Sequence, residues 1–225
     1  MLEVIKIFIM NQNIKIHPKM SNHFKRFNYY KQRYNYSPKK ILDIGALDGR
    51  WSLCLKQIYE NSDFMMIEAN SSMESFLIKT NLKYIISPLS DKIKKTKYYK
   101  IPGDAGNSLY IEKDSSKPII EEVLTSTLED LLDINDTYNI IKLDVQGSEL
   151  DILNGGKTFL EKADFILTEC SLIEYNIGAP LFNDQLFLFQ KHNYSLVDVI
   201  DLLYDKKGTL IQMDILFQNN KFNLR

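Results

Sequence analysis

Two glycines and an acidic residue lie close together after the first strongly apolar segment of the chain. Asp43, Gly45 and Gly49 follow an apolar run that begins at Lys40, and a segment with helical periodicity comes next. This order is typical of the strand, turn and helix that open a nucleotide-binding α/β fold. Gly45 lets the chain turn sharply because it lacks a Cβ, and Gly49 lets the helix begin close to a ligand. Asp43 is expected at the carboxyl end of its strand, where such sheets bind ligands.

The spacing of the glycines argues against a dinucleotide. Dinucleotide-binding turns carry three glycines as G-x-G-x-x-G, whereas residues 43–49 have the pattern D-x-G-x-x-x-G. The wider turn suits a nucleoside without a pyrophosphate, and S-adenosylmethionine is the commonest ligand of that kind. An ordinary strand-to-helix turn with chance glycines is the alternative. The residues predicted to contact the nucleoside from this turn are Asp43, Gly45, Ala46, Asp48, Gly49 and Trp51.

A second apolar run ends in Glu68, about 20 residues after Gly49. An acid at this distance binds the ribose hydroxyls in nucleotide-binding sheets, because one carboxylate can accept both hydroxyl protons. We therefore predict that Glu68 and the adjoining Ala69 belong to the same site, against the alternative of a surface acid at a strand end. Ser90 and Asp91 follow the third strand, and they are predicted either on the adenine side of the site or in a simple turn.

Two later acids are candidates for the chemistry. Asp144 follows an apolar strand that Lys142 interrupts, and Glu169 closes the next predicted strand. We predict that the Lys142 ammonium is paired and that Asp144 is a base or an acceptor-orienting group, with Glu169 as the second choice. Glu149 has a structural alternative to a role in the chemistry, because the helix dipole favours an acid in the first turn of a helix. If Asp144, Glu149 and Glu169 cluster, Mg²⁺ is the candidate metal; it is disfavoured, and no His or Cys spacing indicates a transition metal.

The periodicity predicts a single α/β domain. Strands are expected at residues 40–44, 63–68, 84–87, 138–145, 165–169, 196–200 and 210–217, and helices at 50–60, 128–133 and 182–191. Capping boxes are predicted at Ser71 with Glu74 and at Thr127 with Asp130. A mostly parallel, Rossmann-like sheet of seven strands that ends in an antiparallel hairpin is the architecture of class I methyltransferases. Residues 92–124 form a predicted insertion, with strands at 97–101 and 109–111 joined by a Gly-rich loop, and we expect this loop near the ligand end of the sheet, where it would shape the acceptor pocket.

Residues 1–38 are predicted to form an amino-terminal extension. Apolar residues at 4–9 suggest a short element, and a basic and aromatic stretch follows in which Phe24, Phe27 and Lys31 keep helical spacing. Such a stretch can bind single-stranded nucleic acid. We favour the alternative that its aromatic face covers the sheet while its lysines stay in water. A third alternative is that the segment closes over the substrate.

Composition narrows the class of protein. The chain has 225 residues, 44% of them hydrophobic, with a net charge of −1, which disfavours a general nucleic-acid binder. Cys54 and Cys170 are interpreted as buried, reduced thiols. Charges interrupt the first apolar residues at once, unlike a signal peptide, and no segment has the length of a membrane span. We therefore predict a soluble cytoplasmic protein without a membrane partner, and we leave a homo-oligomer open.

Several motifs together resemble FkbM-type methyltransferases. They are residues 43–49, Glu68-Ala69-Asn70, Leu89-Ser90-Asp91, 127–131 and above all Lys142–Glu149 with 153–156. The resemblance covers roughly residues 40–217 and implies S-adenosylmethionine-dependent O-methylation of a sugar, glycan or related small-molecule hydroxyl. One departure is Glu68-Ala69-Asn70, where many relatives carry Glu-Pro. The alternatives are an RNA methyltransferase, a non-catalytic nucleoside-binding module of the same fold, and a nicotinamide enzyme, which the missing third glycine and the hairpin disfavour.

Overall fold

The structure is a computed structural model, and it describes residues 18–101, 106–113 and 118–222. The apolar element predicted at residues 4–9 lies outside these residues. The strands are β1 (Lys40–Ile44), β2 (Asp63–Glu68), β3 (Lys83–Ile86), β4 (Lys95–Lys100), β5 (Ile119–Leu124), β6 (Ile140–Leu143), β7 (Phe165–Ser171), β8 (Tyr194–Tyr204) and β9 (Leu210–Asn219). The α-helices are α1 (Pro18–Tyr34), α2 (Arg50–Ile58), α3 (Glu74–Leu77), α4 (Leu128–Leu131), α5 (Glu149–Asn154), α6 (Lys157–Lys162) and α7 (Phe182–Lys191).

Seven of the described strands form one sheet in the order β3-β2-β1-β6-β7-β9-β8. The pairs β3–β2, β2–β1, β1–β6 and β6–β7 are parallel, and β9 pairs antiparallel with both β7 and β8. This arrangement confirms the predicted α/β fold with its terminal hairpin. The direction in which the chain adds strands reverses between β1 and β6, and open α/β sheets bind ligands beside such a reversal.

The two central strands are buried on both faces of the sheet. On one face Leu42 and Leu143 join the larger core cluster, and on the other face Ile41 and Ile140 pack with aromatic residues of α1. Because successive side chains of a strand point to opposite faces, a continuous apolar run is what a strand covered on both sides requires. Phe24 and Phe27 of α1 are buried in this second cluster. The prediction that this helix covers the sheet with its aromatic face is therefore confirmed.

The insertion differs from the predicted arrangement. β4 pairs antiparallel with β5, whereas residues 109–111 form no strand and only Ser108 makes an isolated bridge to Tyr99. The predicted strand at 109–111 is therefore wrong. The true partner was missed because β5, with the sequence IIEEVL, is mostly exposed and shows no strict alternation of apolar and polar residues.

The helix ends show one wrong prediction and one confirmed prediction. The proposed Ser71 capping box is absent, since Asn70 caps a short 3₁₀ turn and its side chain accepts a hydrogen bond from the Ser72 N–H. The Thr127 and Asp130 capping box is present at the start of α4. No helix in the described part of the chain has both the length and the apolar character needed to cross a bilayer. The division of the chain at residue 38 stays a prediction.

Candidate active site

A cavity of about 400 Å³ lies over the carboxyl ends of β2, β1, β6 and β7. We call one side the β1–β2 half, which consists of residues 45–48 with Glu68 and Ala69. We call the other side the β6–β7 half, which consists of residues 144–146 with His23, Ser108 and Glu169. Strand order separates the two sides, because β2 and β7 lie on opposite sides of the β1 and β6 pair. A cavity of this volume suits a small organic ligand.

Glu68 is fixed in the β1–β2 half by backbone donors. Its Oε2 accepts a hydrogen bond from the Leu47 N–H at 2.7 Å, and its Oε1 accepts one from the Asn70 N–H at 2.8 Å. Burial raises the pKa of Glu68, and these two hydrogen bonds together with the Lys142 charge oppose that rise. A carboxylate has about four lone-pair positions, so two remain for ligand hydroxyls.

Gly45 allows the turn after β1 to lie close against the backbone that follows β6. Its φ is +75°, and an added Cβ would lie 1.9 Å from the backbone oxygen of Asp144. Gly49 also has a left-handed φ of +77°, but an added Cβ there would meet Thr80 at 2.8 Å. Gly45 therefore brings β1 against the end of β6 at the cavity, whereas Gly49 packs α2 onto its neighbours outside the cavity wall.

The Lys142 ammonium joins the floor of the cavity to its wall. Its Nζ lies 3.0 Å from Asp43 Oδ1, 3.3 Å from the Gly45 carbonyl oxygen and 3.8 Å from Asp144 Oδ2. The second oxygen of Asp43 accepts a hydrogen bond from Ser52 Oγ at 2.7 Å. The predicted pairing of Lys142 is confirmed. Asp43 is fully buried beneath the cavity, where it offsets a charge that would otherwise be costly to bury.

Gln146 connects the two acids of the β6–β7 half. Its Nε2 donates to Glu169 Oε1 at 2.8 Å and to Asp144 Oδ1 at 3.2 Å. Its backbone oxygen accepts hydrogen bonds from Ser108 Oγ at 2.7 Å and Asn176 Nδ2 at 2.6 Å. The residue has a φ of +56°, a left-handed conformation that is rare outside glycine and is found at functional sites. The side chain of Asp144 is 28% exposed, so it reaches the cavity from this framework.

Glu149 supports the loop that carries these groups. Its carboxylate accepts hydrogen bonds from the Val145 and Gly147 N–H groups, at 3.3 and 3.0 Å. Burial raises the pKa of Glu149 to about 7. The described residues contain no group of three or more His, Cys, Asp or Glu side chains that could hold a metal ion. Glu149 thus acts on the loop backbone, and the acids Asp144 and Glu169 share an amide.

The structure brings most of the predicted site residues to the cavity. Its lining includes Gly45, Ala46, Asp48, Trp51, Glu68, Ala69, Asp144 and Glu169. Asp43 and Gly49 lie behind the wall, as described above, and Ser90 and Asp91 lie outside it. Ser90 Oγ donates to Asp91 at 3.0 Å, and Asp91 pairs with Lys94 at 2.7 Å. The hydrogen bond from Lys94 lowers the pKa of Asp91.

Several residues of the wall were not predicted from the sequence. Arg50, Tyr98, Asn107, Ser108, Gln146 and His23 all line the cavity. His23 lies four residues before the buried Phe27, so helical spacing places the two side chains on one face of α1. A polar residue on that apolar face was a usable signal. The Gly-rich insertion loop was predicted near this end of the sheet, but its individual residues Asn107 and Ser108 were not assigned to the site, because the loop has no regular pattern.

The sequence matches one family model, that of the Methyltransferase FkbM domain, over residues 43–196. The match covers more than half of the chain. The chain belongs to this family. The methyltransferase uses S-adenosylmethionine as its methyl donor, as the resemblance implied. No curated protein matches the chain.

Solved structures share its architecture. An S-adenosylmethionine-dependent methyltransferase from Clostridium acetobutylicum gives a TM-score of 0.52 at 10% identity, over 96% of this chain and 97% of that one. The plantazolicin methyltransferase BpumL, solved in complex with SAH, gives 0.50 at 12% identity, over 97% and 90%. A protein in the NADB-Rossmann superfamily from Streptococcus agalactiae gives 0.51 at 12%, over 94% and 72%. At such identities these likenesses establish the class I methyltransferase fold alone.

The methyltransferase cavity fits its cofactor. The lone-pair positions that remain on Glu68 match a pair of ribose hydroxyls, and the predominantly apolar wall suits the adenine ring. Gly45 and Ala46, in the turn after β1, form the wall beside Glu68. The β1–β2 half therefore offers the groups that would hold the nucleoside.

Proposed function

We propose that this methyltransferase transfers the methyl group to a hydroxyl oxygen of a small molecule or glycan. The observation that carries the proposal is the pair of acids, Asp144 and Glu169, that one Gln146 amide holds together at the cavity. A hydroxyl group is a weak nucleophile until its proton is removed, and a carboxylate within hydrogen-bond reach can remove it. Methyl acceptors that need no deprotonation would not require such a pair.

The bound cofactor supplies an electrophilic methyl group on a positively charged sulfur. In the proposal, Glu68 binds the ribose hydroxyls, and the strand-end turn at Gly45 and Ala46 lies against the nucleoside. Asp144 is the proposed base or acceptor-orienting group, because it is the more exposed of the two acids. Glu169 is 7% exposed and accepts amide hydrogen bonds from Gln146 and Gln212, so we assign it to orienting the acceptor. Positioning both reactants in line supplies much of the rate.

An RNA acceptor is the weaker candidate. It was suggested by the basic and aromatic stretch of α1, but Phe24, Phe27 and Tyr30 of that helix are buried in the core. Lys31 donates to the Ile58 carbonyl oxygen, and Arg26 is paired with Asp198. Tyr29 and Tyr34 of this helix are exposed, but a surface that binds single strands also needs cations that can reach phosphates, and Lys31 and Arg26 are engaged within the protein. The cytoplasmic location and the absence of a required Mg²⁺ stay predictions from the sequence.

The proposal is tested with radiolabelled S-adenosylmethionine and a panel of acceptors. The panel contains monosaccharides, oligosaccharides, hydroxylated aromatic compounds and RNA, and each product is treated with mild base. We expect label in a hydroxyl acceptor that survives the base, as a methyl ether does and a methyl ester does not. Label found only in RNA bases contradicts the proposal. Tight SAH binding without transfer to any acceptor supports the alternative of a non-catalytic nucleoside-binding module.

A further inference from the structure

Three carboxylates lie in a row across the terminal hairpin and its neighbour. Asp214 of β9 is paired with Glu169 of β7 on one side and with Asp201 of β8 on the other. Directly paired residues of antiparallel strands project from the same face of a sheet, and like charges in this relation repel. Two consecutive residues of α1 offset the repulsion, since Asn22 Nδ2 donates to Asp201 at 3.3 Å and His23 Nε2 lies 2.8 Å from Asp214.

The contacts of His23 fix which ring nitrogen carries the proton. The indole Nε1–H of Trp51 donates to His23 Nδ1 at 3.1 Å. Because an indole nitrogen is only a donor, His23 Nδ1 must be the acceptor, and the ring proton is then on Nε2. The Nε2–H therefore donates to the Asp214 carboxylate, and both nitrogens of this buried ring are engaged. Such a ring is a rigid connection between β9 and the indole.

Trp51 is the group that this connection holds. It lines the cavity in the first turn of α2 and is 5% exposed. The Lys142 ammonium lies 5.6 Å from the centre of its ring, and the Phe27 ring meets it edge to face at 6.2 Å. The indole N–H has His23 as its hydrogen-bond acceptor, and a buried N–H that loses its acceptor costs free energy. A change at His23 therefore acts on the cavity wall through Trp51.

We propose that His23 is a positioning residue that holds the Trp51 indole in the wall of the cofactor cavity, so that helix α1 is part of the site. Asp214 sets the tautomer of His23, and the acidic row on the hairpin fixes where α1 lies. The inference concerns the cofactor cavity and is tested with SAH, so its outcome is separate from that of the proposed hydroxyl acceptor.

Two polar variants separate the two hydrogen bonds of His23, one to Trp51 and one to Asp214. H23N keeps a side-chain oxygen near the position of Nδ1, where it can accept from Trp51, but it does not reach Asp214. H23Q reaches toward Asp214 with an amide N–H and leaves no acceptor at the Nδ1 position. Both variants are tested by titration with SAH, and the emission of Trp51 is recorded directly because it is the sole tryptophan of the chain.

We expect H23Q, which loses the acceptor for the Trp51 N–H, to bind SAH about ten-fold more weakly than the unmodified protein, the usual size of one lost buried hydrogen bond, and H23N to lose clearly less affinity than H23Q. The emission maximum of Trp51 is expected to shift in H23Q and not in H23N. In a W51F background, H23Q is expected to add no further loss, because residues that act through one contact are not additive.

If H23N bound SAH more weakly than H23Q, His23 would only dock α1 on the hairpin, and this result would overturn the proposal. Equal affinities for H23N and H23Q, or a full additional loss in the W51F background, would overturn it as well. If thermal unfolding shows that neither His23 variant folds, W51F alone decides. It keeps an aromatic ring but has no N–H, so the proposal expects about ten-fold weaker SAH binding, and unchanged binding contradicts it.

Discussion

The two halves of the cavity are built by different means. In the β1–β2 half, Glu68 is held by backbone N–H groups of Leu47 and Asn70, which lie 21 and 2 residues away in the chain. In the β6–β7 half, side chains from distant elements meet, and His23 and Asp214 are 191 residues apart. The first half is set by one local strand-and-turn pattern. The second half exists only after the sheet, the hairpin and α1 have come together, and this is where members of one fold are free to differ.

The largest effect is expected from D144N, which changes only the β6–β7 half. Removing a catalytic base lowers turnover by about 10³-fold, while SAH affinity should stay within about two-fold because the β1–β2 half is intact. Turnover is measured with the hydroxyl acceptor identified in the panel. D63N makes the same chemical change at an exposed position at the opposite end of the sheet, and it should have no effect. Normal turnover in D144N would remove Asp144 from the mechanism.

G45A tests the junction between the halves. Alanine at this position pays the strain of a left-handed φ and also meets the Asp144 backbone, so we expect a loss of about 4 kcal/mol in the free energy of unfolding. G208A is the matched control, because Gly208 has a φ of +82° and nothing within 4 Å of an added Cβ. It should lose only about 1 kcal/mol, from strain alone. Equal losses in urea unfolding would show that the close approach of β1 and β6 is unimportant.

Glu149 makes the free energy of unfolding of the protein depend on pH. Its pKa is raised from 4.5 to about 7, so between these values the folded protein keeps a proton that the unfolded chain has released. Stability from this group is therefore present below about pH 4.5 and is lost as the pH rises through 7, by about 3 kcal/mol in all. E149Q should remove this component when urea unfolding is compared at pH 5 and pH 8. Parallel pH profiles for both proteins would contradict the assignment.

E68Q changes only the β1–β2 half. The amide group replaces one carboxylate oxygen by a donor that faces a backbone N–H, so we expect SAH to bind about 30-fold more weakly, equivalent to about 2 kcal/mol. E74Q, at an exposed acid on α3, should bind normally. Calorimetry measures both. If E68Q retained full affinity, the ribose would have to bind elsewhere.

The same contrast explains what the sequence revealed. The bounds of β1, β2 and α7 were predicted to the residue, because apolar runs and turn residues mark them locally. Glu68 and Gly45 were found by spacing, and Asp144 and Glu169 by their places at strand ends. His23 and Gln146 were missed because their roles depend on contacts across the fold. Ser90 and Asp91 were predicted either on the adenine side of the site or in a simple turn, and their side chains close a turn with Lys94.

A crystal structure of the protein with SAH tests the central claim most directly, since it shows both halves at once. We expect ribose hydroxyls within hydrogen-bond distance of the Glu68 carboxylate and a sulfur atom that faces Asp144 across the cavity. A ribose bound away from Glu68, or a sulfur atom directed away from Asp144, would contradict it.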